Sequence, residues 1–249
     1  PGPVAPERGN GMIVPLKRAS VFREGLDHPE GIAVHPDGSV WAGGEAGQIY
    51  RISADGKRMQ VVANTGGFIL GIAFSPDARW LVACDLAKRC LWRVDVRTGR
   101  LALFSRGAGR RHRLRIPNYP AFAPDGTLYV SDSGAFGKPC GNLFRFDADH
   151  SGRGEVWHAG PFHFANGLAL SPAADTLFVA CTYMPGVERV EIRPDGSAGR
   201  RRVHVRIPGT LPDGLAFDRA GNLYVSCYTP SRIYRVSPAG AVRMVRHRL

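Results

Sequence analysis

No stretch of about 18 consecutive apolar residues occurs in the 249-residue chain, so a transmembrane helix is not expected. Residues 1–15 (PGPVAPERGNGMIVP) lack the apolar centre of a signal peptide. The five cysteines, Cys84, Cys90, Cys140, Cys181 and Cys227, are odd in number and contain no CxxC pair, which argues against a disulfide framework or a zinc ribbon. Three of them close similar apolar runs (LVAC, LFVAC and LYVSC) and read as small buried residues of a reducing, cytoplasmic compartment. A GxSxG nucleophile elbow is missing, and the histidines show no HExxH spacing. Helical periodicity is missing throughout. The net charge of +12 invites a nucleic-acid reading. However, the basic clusters Arg110–Arg115, Arg200–Arg202 and Arg243–Arg248 carry no interleaved aromatics for base stacking. They read as solvated surface, and neither a nucleic-acid nor a membrane partner is expected.

What the chain does have is glycine (31), proline (19) and an internal repeat. Five segments align: 29–53, 69–95, 117–147, 165–192 and 212–237. Each holds a short apolar strand, a Pro-Asp-Gly-like turn, a second strand, a variable loop and a third strand. Asp37-Gly38, Asp125-Gly126 and Gly221-Asn222 supply hairpin turns. Further short strands fall between the repeats at Met59–Ala63, Ala102–Phe104, Glu155–His158 and Arg202–Val205. Four strands per unit, repeated radially, describe a β-propeller. The expected fold is all-β: a six-bladed propeller of four-stranded antiparallel blades with the last blade incomplete, the alternative being a five-bladed ring. Ala19–Phe22 is the candidate strand for closing the ring. Residues 1–18 read as an N-terminal extension and 19–249 as one propeller domain.

One repeat position stands out. Glu30, Leu70, Asn118, Asn166 and Asp213 occupy the start of successive first strands, which line the central channel of a propeller. Four of the five are oxygen donors. Converging carboxylates and amides favour a hard cation, Ca²⁺ first, with Zn²⁺, Mn²⁺ and Mg²⁺ as alternatives. The competing reading is that these side chains cap strand starts and turns.

The segments PEG (29–31), PN (117–118), ANGLALSP (165–172) and PDGLAFDRAGNLYVS (212–226) resemble the senescence marker protein / gluconolactonase / luciferin-regenerating enzyme-like family across about residues 20–245. The resemblance implies a six-bladed propeller with one catalytic divalent cation and lactonase or related carboxylic-ester hydrolase activity of the EC 3.1.1 type. Its metal ligands map onto Glu30, Asn118, Asn166 and Asp213. Three departures accompany it. Tyr119 follows Asn118 where the family often has Asp, Ile116 replaces a sugar-binding Arg, and Ser133-Gly134-Ala135-Phe136 stands where an acidic substrate contact is expected.

On this reading Asp213 is the general base, water the nucleophile and a small lactone or ester the substrate. Tyr119, Asp132, Phe136 and Tyr183 are the candidate substrate contacts, with Phe68 beside them. For Asp132 the alternative is a strand-end turn acceptor, and His163 reads as a hydrogen-bonded loop residue. The rival function is a non-catalytic binding scaffold. A strictosidine-synthase-like condensing enzyme would need a pocket acid that the sequence does not identify.

Overall fold

The computed structural model describes residues 20–149 and 151–247. Among them every regular element is a strand. Blade one is β1 (Ile32–Val34), β2 (Val40–Gly43), β3 (Gln48–Ile52) and β4 (Met59–Asn64). Blade two is β5 (Ile69–Phe74), β6 (Trp80–Asp85), β7 (Cys90–Asp95) and β8 (Leu101–Ser105). A two-stranded ribbon, β9 (Gly107–Ala108) and β10 (His112–Arg113), leads into blade three: β11 (Pro117–Phe122), β12 (Leu128–Asp132), β13 (Pro139–Phe146) and β14 (Gly154–His163). Blade four is β15 (Ala165–Leu170), β16 (Thr176–Cys181), β17 (Gly186–Ile192) and β18 (Ala198–Arg206). Blade five is β19 (Pro212–Phe217), β20 (Leu223–Cys227), β21 (Arg232–Val236) and β22 (Val242–His247). Each blade is an antiparallel meander with its strands in sequence order.

The turns between first and second strands follow from local chemistry. In blade one Asp37 accepts hydrogen bonds from the Ser39 amide (2.8 Å) and hydroxyl (2.6 Å), and Gly38 takes φ +84°. Blades two and four force Ala78 and Ala174 into the same left-handed conformation, at φ +55° and +56°.

Successive blades share their cores. Trp41 and Ile49 of blade one pack with Ile69, Ile72 and Leu81 of blade two. Similar clusters join blades two and three around Phe144 and Phe146, three and four around Trp157 and Phe162, and four and five around Phe178 and Leu215. Each large side chain buried in this way contributes about 1.5–3 kcal/mol. Among the described residues no such cluster joins blade five to blade one. Ile32, whose blade-two counterpart Ile72 is 1% exposed, is itself 61% exposed.

The expectation of six blades with a truncated last one is therefore corrected: the described residues form five four-stranded blades. Val242–Val245 lies in β22, which pairs with β21 as the outer strand and completes blade five. Residues 20–22, expected within a closing strand, are not in a strand, and Ala19 and the proposed extension lie outside the described residues. The repeat starts at 69, 117, 165 and 212 open β5, β11, β15 and β19, the first repeat begins before β1 at residue 29, and the four expected outer strands fall within β4, β8, β14 and β18.

Candidate metal centre

The channel position is built by a defect in the ladder. In β5, β11, β15 and β19 the pairing with the second strand breaks between Ile69 and Ile72, Pro117 and Pro120, Ala165 and Leu168, and Pro212 and Leu215. Each break is a bulge that holds the channel residue and its successor: Leu70-Gly71, Asn118-Tyr119, Asn166-Gly167 and Asp213-Gly214. A bulge re-aims a side chain that regular pleating would leave on a sheet face. The glycines then let neighbouring first strands close in. A Cβ on Gly71 would stand 2.6 Å from the Asn118 carbonyl oxygen, and one on Gly167 2.4 Å from that of Asp213.

Glu30, Leu70, Asn118, Tyr119, Asn166 and Asp213 consequently line one small axial cavity of about 40 Å³. Larger clefts of about 410 and 340 Å³ lie on the flanks of blades one and four, among surface groups such as Arg51, Asp37, Arg189 and Glu191, and hold none of these donors.

The two asparagines are oriented by a repeated device. Asn118 Nδ2 donates to Ser133 Oγ (3.0 Å), which donates to the Ala165 carbonyl (2.7 Å), one residue before Asn166. Asn166 Nδ2 donates to Thr182 Oγ1 (3.2 Å), which donates to the Pro212 carbonyl (2.8 Å), one residue before Asp213. With its nitrogen engaged, each amide has an oxygen to offer. Ser131 and Ser226 brace the bulges by accepting from the Tyr119 and Gly214 amides, at 3.0 and 2.9 Å.

Electrostatics point the same way. The Glu30 carboxyl is raised above its usual range by loss of water, then by Asp213 and Glu45, with His28 opposing; its side chain still reaches solvent at the blade-one edge. Asp213 is raised by burial, opposed by a hydrogen bond from Asn166. Two carboxyls raised chiefly by burial, beside two amides, form a donor set that a hard cation would neutralise. Among the described residues there is no cluster of three or more His, Cys, Asp or Glu side chains suited to a metal, and half of this set is amide.

Of the other candidates only Tyr119 is among the residues lining this cavity, and burial raises its phenol. Asp132 is 1% exposed and points away from bulk solvent. Its oxygens accept from the Arg115 (2.8 Å), Ile116 (2.9 Å) and Gly134 (2.9 Å) amides, the strand-end acceptor geometry. Phe136 and Tyr183 are 65% and 42% exposed, and both contact the Phe164 ring. Phe68 packs against the buried group Leu70, Ile116 and Phe164. His163, expected in a loop, is the last residue of β14, and its carbonyl accepts from the Tyr183 amide at 3.1 Å. Sequence reasoning missed Ser133, Thr182 and Phe164. The signal for the first two was present: a serine or threonine follows the second strand only in the two blades that carry asparagine, where blades two and five have Leu86 and Tyr228.

Residues 73–247 match the family described as SMP-30/Gluconolactonase/LRE-like region. The chain belongs to this family. Residues 16–52 match a strictosidine synthase-like N-terminal region. Among curated proteins, a 6-deoxy-6-sulfogluconolactonase from Pseudomonas putida is 37% identical over 105 residues, covering 41% of this chain and 35% of that protein. Hemomucin, an adipocyte plasma membrane-associated protein of Drosophila melanogaster, is 31% identical over 170 residues, covering 61% and 28%. The matched part thus spans about a third of the length of these relatives. A gluconolactonase structure from Xanthomonas campestris superimposes with a TM-score of 0.77 at 23% identity, covering 90% of this chain and 77% of that one. A calcium-binding regucalcin structure from Agrobacterium tumefaciens gives 0.76 at 17% identity, covering 95% and 80%. At these identities the structures establish the propeller fold. None of the described residues forms a helix long and apolar enough to cross a membrane.

Proposed function

We propose that the chain is a metal-dependent hydrolase of lactones or related carboxylic esters, with one divalent cation, Ca²⁺ first, held by Glu30, Asn118, Asn166 and Asp213. The observation that carries this reading is the convergence of those four oxygen donors in one axial cavity, with both amides oriented by hydroxyls. The bound cation would supply a Lewis acid that polarises the ester carbonyl and lowers the pKa of water. Half-buried Asp213 takes the proton from the attacking water and returns it to the departing alkoxide oxygen as the acyl C–O bond breaks. Asn118 and Asn166 hold their oxygens toward the centre, while Tyr119 walls one side against bulk water. Membership of a family that includes a gluconolactonase supports the ester chemistry.

Chelator-stripped and Ca²⁺-reloaded protein assayed on a lactone panel tests the proposal. Turnover that returns with the ion is expected. A stripped protein as active as the loaded one, or a loaded protein inert on the panel, overturns it, and the latter result favours a binding scaffold.

A further inference from the structure

The axial cavity has an apolar wall that continues into the core. Leu70, the one channel residue without an oxygen, lines the cavity and belongs to a buried group with Ile116 and Phe164. The Phe164 ring continues outward to Phe136 (centroids 5.1 Å apart) and to Tyr183 (5.0 Å). A path of carbon therefore runs from the oxygen donors to solvent, ending in two aromatic rings that are 65% and 42% exposed. Two exposed rings at the end of such a path are costly to leave wet and mark a contact surface.

Two further observations bear on what that surface takes. Phe164 sits at φ +64°, a conformation that a bulky side chain adopts only when its surroundings impose it, two residues before Asn166. The polar groups nearest the rim are already engaged: Asp132 with three backbone amides, and Ser133 and Thr182 with an asparagine and a carbonyl each. Those three side chains are therefore not free to satisfy the several hydroxyls of a sugar ring. A polyol bound against this rim would lose hydrogen bonds to water without replacement.

We infer that the substrate carries an aryl or alkyl group that seats on Leu70, Phe164, Phe136 and Tyr183 while its ester carbonyl reaches the axial donors. The class is an apolar lactone or ester instead of a sugar lactone. This rests on the hydrolase reading above.

The experiment uses the full chain loaded with Ca²⁺ and the double variant Phe136→Ser/Tyr183→Ser, whose rings lie at the surface. KM is measured for dihydrocoumarin, δ-valerolactone and glucono-δ-lactone. Loss of the two rings should raise KM for the aromatic lactone about tenfold and leave that for δ-valerolactone unchanged. Equal KM in variant and parent, or a parent that prefers the sugar lactone, overturns the inference and leaves the hydrolase reading standing. Calorimetric titration with 3,4-dihydroquinolin-2-one, the non-hydrolysed lactam, separates binding from turnover. Lactam binding that weakens about tenfold in the variant supports the apolar rim even when no lactone is turned over, which sinks the hydrolase reading alone. Lactam binding that is absent from the parent, or equal in both proteins, overturns the rim.

Discussion

Ser133→Ala removes one hydroxyl that the channel position depends on. Ser133 is fully buried, accepts from Asn118 Nδ2 at 3.0 Å and donates to the Ala165 carbonyl at 2.7 Å. Deleting the oxygen strands one donor and one acceptor, each costing about 1–3 kcal/mol when buried. The cavity beside Asn118 admits water to that side, so a total of about 2–3 kcal/mol is expected from urea unfolding. The diagnostic effect is on the ion. Without its anchor the Asn118 amide turns freely, and Ca²⁺ affinity by calorimetry should fall about 10- to 100-fold, as for other groups that orient metal ligands. Thr182→Val should do the same through Asn166, and Thr182→Ser, which keeps the hydroxyl, should not. Ser105→Ala is the control. Ser105 is also buried and donates to the Gly152 carbonyl (3.0 Å), but it lies outside the cavity, so stability should drop with cation affinity intact. Parental affinity in Ser133→Ala, or an equal loss in Ser105→Ala, would refute the reasoning.

Other consequences can be measured alongside. Gly167→Ala places a Cβ 2.4 Å from the Asp213 carbonyl oxygen and should cost about 1–3 kcal/mol by urea unfolding, more than Gly214→Ala, where only the rotatable Ser226 hydroxyl lies within reach. Asp132→Asn puts an N–H group among three amide donors, and a loss of about 2 kcal/mol in the same assay is expected. His158 and His204 are held below their ordinary value of 6.5 by burial first and then by Arg201 and Arg189 respectively. The unfolded chain therefore binds protons before the folded one. Their contribution to stability is complete above about pH 6.5 and is lost as pH falls toward their folded values. Urea midpoints between about pH 8 and 5 should show that decline, and His158→Gln/His204→Gln should flatten it.

Much of the fold was legible because a propeller repeats one local solution. The Pro-Asp-Gly turns and alternating apolar runs mark each hairpin, and the repeat starts at 69, 117, 165 and 212 are the observed starts of β5, β11, β15 and β19 or the residue beside them. Blade number was less legible. Val242–Val245 reads as an outer strand and completes blade five, but a repeat pattern does not itself say how many blades share one ring. The convergence of Glu30, Asn118, Asn166 and Asp213 was readable from repeat register alone, since equivalent residues of radial repeats face one axis. The bulges that aim them were not, because two residues facing one across a ladder look ordinary in sequence. Asp132 illustrates the opposite limit. A carboxylate at a strand end reads equally as substrate contact or turn acceptor, and only three amides at 2.8–2.9 Å reveal how its oxygens are used. Asn118-Tyr119 and Ile116 were visible as departures from the family pattern, yet the apolar path they belong to needed Phe164 and its neighbours in space.

The most direct test of the account is a calorimetric titration of Ca²⁺ into chelator-stripped protein, repeated on Glu30→Gln/Asp213→Asn. One saturable site in the parent, lost in the variant with the fold retained by circular dichroism, is the predicted result. No binding in the parent, or undiminished binding in the variant, would contradict the claim that these four oxygens form a metal centre.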